Sequence, residues 1–249
     1  MSERISHLRH VPNVITCLNL FCGCLSVVSA FSGRLETAAY FILAAAVFDF
    51  FDGFAARWLK AYSATGKELD SLADMVSFGV APASIMYALL LPAAAKHGLS
   101  VEIYTCGWFI TVLAFIIAVF SALRLAKFNI DTRQTDSFIG VPTPATALFI
   151  CSLAFMSSGS SSLAMLTGNM FFLLAVIIVF SYLMVAELPL FSLKFKSFDW
   201  KSNRMRYVFI ALSALILIIL HWTGLAVVIS VYIILSIFAN ILCNRKVLT

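Results

Sequence analysis

Charge is what this sequence has least of. Of its 249 residues only 12% are Asp, Glu, Lys or Arg, while 62% are hydrophobic, and the mean hydropathy is +1.00. A water-facing domain carries roughly 25% charged residues, because its whole surface must be hydrated. A chain of this length has no aqueous core large enough to hide so much apolar surface. A soluble globular enzyme is therefore excluded, and lipid is the expected solvent for most of the chain. The 23 phenylalanines suit a lipid-facing exterior. The net charge of +5 is modest; it fits loops that face anionic headgroups, and no nucleic-acid partner is expected. Six cysteines are present, but none has the spacing of zinc ligands, and Cys22-Gly23-Cys24 reads as small helix residues. No disulfide framework follows. Internal repeats, low-complexity tracts and a separate soluble domain are all lacking. The first apolar run is long enough to span, so it reads as a helix and not a cleavable leader, although Val28-Ser29-Ala30 loosely resembles a cleavage site.

What is present in abundance is long apolar runs. A membrane-spanning helix needs about 20 mostly apolar residues, and such runs fall at roughly 11–31, 36–58, 69–91, 104–125, 142–157, 169–187, 207–222 and 224–242. Turn-forming residues separate them, among them Ser32-Gly33, Gly98, Gly140 to Pro144 and Leu188-Pro189. The expected fold is an all-α integral membrane protein of about eight transmembrane helices with both termini cytoplasmic. That orientation puts fifteen of the 17 basic residues inside and leaves only Arg34 and Lys96 outside, as the positive-inside rule requires. The whole of 1–249 is expected to form one membrane domain. The expected location is the cell (inner) membrane.

Against this apolar background four acids stand close together: Asp49, Asp52, Asp70 and Asp74. A charge at membrane depth costs about 2.5–3.5 kcal/mol even on the lenient insertion scale, so such a group needs a cation to neutralise it. Asp49 and Asp52 are three residues apart and share a helix face, which Gly53, Ala56 and Arg57 continue. Gly66, Asp70 and Asp74 follow at intervals of four and share a face of the next helix. A short connection makes the two helices antiparallel neighbours, so the acidic faces can meet at the cytoplasmic rim. Four carboxylates without a neighbouring His or Cys form an all-oxygen site that suits Mg²⁺ or Mn²⁺ better than zinc. A pair of such ions suits phosphoryl chemistry, because it stabilises attacking and leaving oxygens together. Gly53, Ala56 and Gly66 would let a ligand approach the backbone, and Arg57 offers a planar fork for phosphate. Ion pairing with Arg57, Lys60 and Lys67 is a poorer account, since three cations would face four anions. A cation transporter remains the rival reading, because intramembrane acids also mark ion paths.

The run Asp49-Phe50-Phe51-Asp52-Gly53-Phe54-Ala55-Ala56-Arg57, then Gly66, Asp70 and Asp74, resembles the complete motif of the CDP-alcohol phosphatidyltransferases, D-x2-D-G-x2-A-R-x8-G-x3-D-x3-D. The resemblance implies a six-helix core, here 11–187, that some members extend by two C-terminal helices, here within 188–249 as a cytoplasmic loop and a C-terminal helix pair. It implies that Asp49, Asp52 and Asp70 bind metal, that Asp74 both ligates and serves as general base, and that Gly53, Ala56, Arg57 and Gly66 contact the nucleotide of a CDP-linked lipid. Pro12-Asn13-Val14-Ile15-Thr16 resembles a segment beside the nucleotide in that family, with Asn13 and Thr16 on one face. A homodimer is implied in the same way.

Three further stretches, Asp74 to Pro82, Arg124 to Asn129 and Phe138 to Pro144, are similar to the phosphatidylserine synthase branch of the family. That implies CDP-diacylglycerol as donor and L-serine as acceptor, in an active site at the cytoplasmic face. Arg124 or Arg133 could meet the serine carboxylate, and Asn129 or Ser77 could donate hydrogen bonds. Glycerol 3-phosphate and inositol remain open as alternative acceptors.

Overall fold

The computed structural model describes residues 10–130, 138–159, 164–190 and 199–247. Among them helices dominate. Helix α1 spans Val11–Phe31 and begins with Pro12 in its first turn, where a missing N–H costs nothing. Gly33, at φ +73°, makes the tight turn into α2, Leu35–Trp58. Ser63 caps α3 by accepting from the Gly66 N–H at 2.9 Å. Helix α3 then runs unbroken over Ala64–Lys96, about ten residues longer than the apolar run alone suggests. Its first turns are polar, and hydrophobicity therefore understates it. Within α3, Met75–Val80 is a π-helical segment beginning directly after Asp74. Helix α4, Cys106–Ile130, contains a 3₁₀ turn at Leu113–Phe115. Helices α5, Thr143–Ser157, and α6, Met170–Val185, are shorter. Helices α7, Trp200–Leu220, and α8, Gly224–Val247, complete the chain.

Among the described residues five segments are long and apolar enough to cross a membrane: α1, α2, α3, α4 and the run Arg206–Phe238. The chain is thus a multi-pass membrane protein. The last run is bent back on itself at His221–Thr223. The Phe209 and Tyr232 rings lie 5.7 Å apart, whereas a straight helix would separate residues so far apart in sequence by roughly 34 Å. Helices α7 and α8 are therefore an antiparallel pair.

The bundle is held by close backbone approach more than by bulk. Ala38, Ala39 and Ala45 of α2 are fully buried, and small residues are what let helices touch in lipid. The Ser26 hydroxyl of α1 donates to the Ala38 carbonyl at 2.8 Å. Helix α5 joins the C-terminal pair through Ser152, whose hydroxyl donates to the Thr223 carbonyl at 2.7 Å. One small departure from an all-helical reading links two loops: Phe138–Ile139 (β1) pairs antiparallel with Pro189–Leu190 (β2). Extended backbone leaving a bundle must find hydrogen-bond partners, and these two segments satisfy each other.

Candidate active site

The four aspartates converge where α2 ends and α3 begins. Carboxylate oxygens of Asp49, Asp70 and Asp74 all lie within 4.8 Å of one another. Asp52, one turn beyond Asp49, is 5% exposed, and its Oδ2 has no hydrogen-bond partner. Among the described residues none of the four forms an ion pair with Arg57, Lys60 or Lys67. Ion-pair glue is therefore not what holds the acids together. Three carboxylates this close, with a buried orphan oxygen beside them, repel one another unless a cation is present. The donor set is oxygen only, which fits a hard divalent ion.

A cavity of about 220 Å³ opens against this cluster. Asn13 and Thr16 of α1 form one wall; Asp52, Gly53, Ala56 and Arg57 of α2 form a second. Gly66, Lys67 and Asp70 of α3 form the third. The α2 and α3 walls lack bulk because a side chain at Gly66 would meet Ser63 and Asn13, and Gly53 leaves room for the Arg57 guanidinium. Thr16 donates to the Pro12 carbonyl at 3.0 Å, which ties its side chain to the first turn of α1. Every candidate nucleotide contact named from the sequence thus lies on one cavity, beside the carboxylates. The outer face of α2 is apolar and exposed, with Phe50, Phe54 and Trp58 at 64%, 50% and 76%. Lipid therefore reaches the rim of a polar site.

The candidates for an acceptor site divide. Arg124 of α4 is 7% exposed, its Nε lacks a partner, and it is close enough to Asp74 for their charges to attract. Asn129 is engaged elsewhere: its side-chain amide donates to the Ser71 hydroxyl at 2.8 Å, and its main-chain carbonyl accepts from Lys67 at 3.3 Å. Ser77 is fully buried and donates to the Asn19 carbonyl at 3.0 Å. Both side chains thus brace helices, and the one hydroxyl proton of Ser77 is committed to that bond. Arg133 lies outside the described residues.

Lys67 and Asn19 belong to the site but were not among the sequence candidates. Lys67 was read there only as a countercharge, yet it lines the cavity. Asn19, fully buried in α1, donates from Nδ2 to Asp74 Oδ1 at 3.5 Å. The signal for Asn19 was available, since Asn13, Thr16 and Asn19 recur at intervals of three along an otherwise apolar helix.

Clustered carboxylate oxygens that fit a hard cation, set beside a cavity with Arg57 and Lys67 on its walls in a membrane bundle, define a membrane-embedded centre suited to phosphoryl chemistry. The chain belongs to the CDP-alcohol phosphatidyltransferase family, whose model matches residues 9–242. It is similar to the CDP-diacylglycerol–serine O-phosphatidyltransferase of Bacillus subtilis (strain 168), at 37% identity over 148 residues, 59% of this chain and 77% of that protein. The enzyme of the same name from Helicobacter pylori (strain 26695) is 32% identical over 211 residues, 84% of this chain and 82% of the relative. Its namesake from Saccharomyces cerevisiae is 35% identical over 162 residues, 59% of this chain and 54% of that protein.

Proposed function

We propose that this chain transfers a phosphatidyl group from CDP-diacylglycerol to L-serine, giving phosphatidylserine and CMP. The observation that carries the reading is the placement of the whole D-x2-D-G-x2-A-R-x8-G-x3-D-x3-D set around one cavity and one carboxylate cluster. The names of the relatives favour serine as acceptor.

In this reading the nucleotide occupies the cavity between Asn13, Gly53, Arg57 and Gly66, while the acyl chains stay in lipid along Phe50, Phe54 and Trp58. Arg57 and Lys67 face the diphosphate. Asp49, Asp52, Asp70 and Asp74 would hold one or two Mg²⁺ or Mn²⁺ ions, which supply charge neutralisation for the diphosphate and the leaving group. Asp74 orients the serine hydroxyl and accepts its proton. The serine oxygen forms the new bond to the phosphorus that carries diacylglycerol, and the bond from that phosphorus to the CMP oxygen breaks. Arg124, buried and short of a partner for Nε, meets the serine carboxylate.

The wider arrangement belongs to the same proposal. Eight spans keep both termini cytoplasmic, with α1–α6 as the catalytic core and 188–249 as loop and helix pair. The active site faces the cytoplasm in the cell (inner) membrane, and two copies form a homodimer.

The test is purified protein given CDP-diacylglycerol and, separately, serine, glycerol 3-phosphate or inositol, with the headgroup of the product identified. Phosphatidylserine and stoichiometric CMP are expected with serine alone. A product only with glycerol 3-phosphate or inositol would reassign the acceptor. CMP release in detergent, where no gradient exists, would dispose of a cation transporter.

A further inference from the structure

We infer that Asn19 is the positioning residue for Asp74, a role that rests on the transferase reading above. Asn19 sits in the middle of α1 and is fully buried. A buried amide in a membrane helix is retained where its hydrogen bonds are needed. Its Nδ2 donates to Asp74 Oδ1 at 3.5 Å, and its Oδ1 has no partner in the protein. The two facts have one cause. In the form that accepts a proton in the reading above, the Asp74 carboxylate only accepts hydrogen bonds, so the amide turns its NH₂ toward it; the reverse orientation would set two oxygens face to face. The carboxylate charge fixes the amide, and the amide in return fixes one carboxylate oxygen. The other oxygen is left for the acceptor hydroxyl or a cation.

The backbone on both sides is locked at the same level. The Ser77 hydroxyl donates to the main-chain carbonyl of Asn19 at 3.0 Å. One turn along α1, Gly23 packs so tightly on Ser77 that a Cβ there would lie 2.9 Å from the Ser77 Cα. On the far side of α3, a Cβ at Gly79 would lie 3.0 Å from the Ser121 Cβ of α4. The π-helical segment Met75–Val80 is thus gripped from two sides directly after Asp74. Such a segment changes the helical register at its start. Asn19 and Ser77 hold that change where it sets the direction of Asp74.

The experiment compares Asn19→Leu, close in volume but without an amide, with Asn19→Ser, Ser77→Ala and the double variant N19L/S77A. The readouts are kcat, KM for CDP-diacylglycerol and melting temperature. Loss of a residue that orients a metal-ligating group lowers activity about 10- to 100-fold. The expected result for Asn19→Leu is a kcat lower by that factor, with donor KM and melting temperature close to wild type. Ser77→Ala should give a smaller loss, and N19L/S77A no more than N19L alone, because both act through one carboxylate. Asn19→Ser carries the same expectation should the leucine variant fail to fold. Unchanged kcat in either Asn19 variant overturns the inference, as does a loss that is matched by weakened donor binding and lowered melting temperature. Wild-type protein that transfers to an alcohol other than serine overturns the acceptor assignment alone, and the same comparison is then made with that alcohol.

Discussion

Gly66 faces Asn13 so closely that a methyl group on its Cα would lie 3.0 Å from the Asn13 side-chain oxygen and 2.9 Å from the Ser63 hydroxyl. The glycine therefore lets the start of α3 lie against α1 and keeps the cavity open. Gly66→Ala must displace either the helix cap or the Asn13 side chain. Overpacking of this kind costs about 1–3 kcal/mol, and we expect the KM for CDP-diacylglycerol to rise about tenfold or more. Steady-state kinetics with serine held in excess would check this, and an unaltered KM would show that Asn13 and Ser63 yield freely.

Removal of one member of the carboxylate cluster should separate stability from activity. Asp49→Asn relieves repulsion among three groups within 4.8 Å, so in chelator the variant should melt at or above the wild-type temperature. The wild type should gain about 2.7 kcal/mol when Mg²⁺ or Mn²⁺ reaches a hundred times its dissociation constant, and the variant far less. Turnover should be abolished in the variant. Melting curves followed by tryptophan fluorescence, with and without metal, are the measurement; equal metal stabilisation of both proteins would remove Asp49 from the ligand set.

Lys67 carries a positive charge on the cavity wall and donates to the Asn129 carbonyl at 3.3 Å. Lys67→Met keeps the aliphatic stem and removes the charge. The donor KM should rise about five- to tenfold, which corresponds to roughly 1–1.4 kcal/mol of lost attraction to phosphate, and kcat should change little. A fall in kcat alone would place Lys67 with the reacting atoms instead.

Gly23→Ala probes the grip on the π-helical segment. The added Cβ meets Ser77 backbone at 2.9 Å, and backbone cannot rotate aside. We expect a loss of about 1–3 kcal/mol in stability together with reduced kcat, read from thermal melts and turnover of the same preparation. A variant as stable as wild type would mean that α1 and α3 separate easily at this level.

Much of this architecture was legible in the sequence, and the reason is physical. Lipid imposes one rule on every span, so apolar runs located α1, α2, α5 and α6 to within a few residues. The motif could place eight residues because each has a fixed spacing on a helix of known pitch. Helix α3 was underestimated because its first turns are polar and project from the apolar zone, where hydropathy gives no signal. Ser77 and Asn129 were offered to a substrate because a sequence names donors without saying what they already bond. Asn19 was overlooked for the converse reason: a single amide in an apolar run looks incidental until its neighbour across the helix pair is known. The antiparallel fold of α7 on α8 was marked by the turn at Trp222 to Gly224, but which helix they rest on required Ser152 and Thr223.

The continuity of α3 has a consequence for the enzyme in its bilayer. At 33 residues it is a rod of roughly 50 Å, against a hydrocarbon layer of about 30 Å, so its polar first turns have room to stand outside the apolar zone. Asp70 lies six residues from the start of this rod, roughly 9 Å along it. The acids of α3 therefore sit close to the boundary between headgroups and hydrocarbon, where solutes arriving from water and chains arriving from lipid can meet.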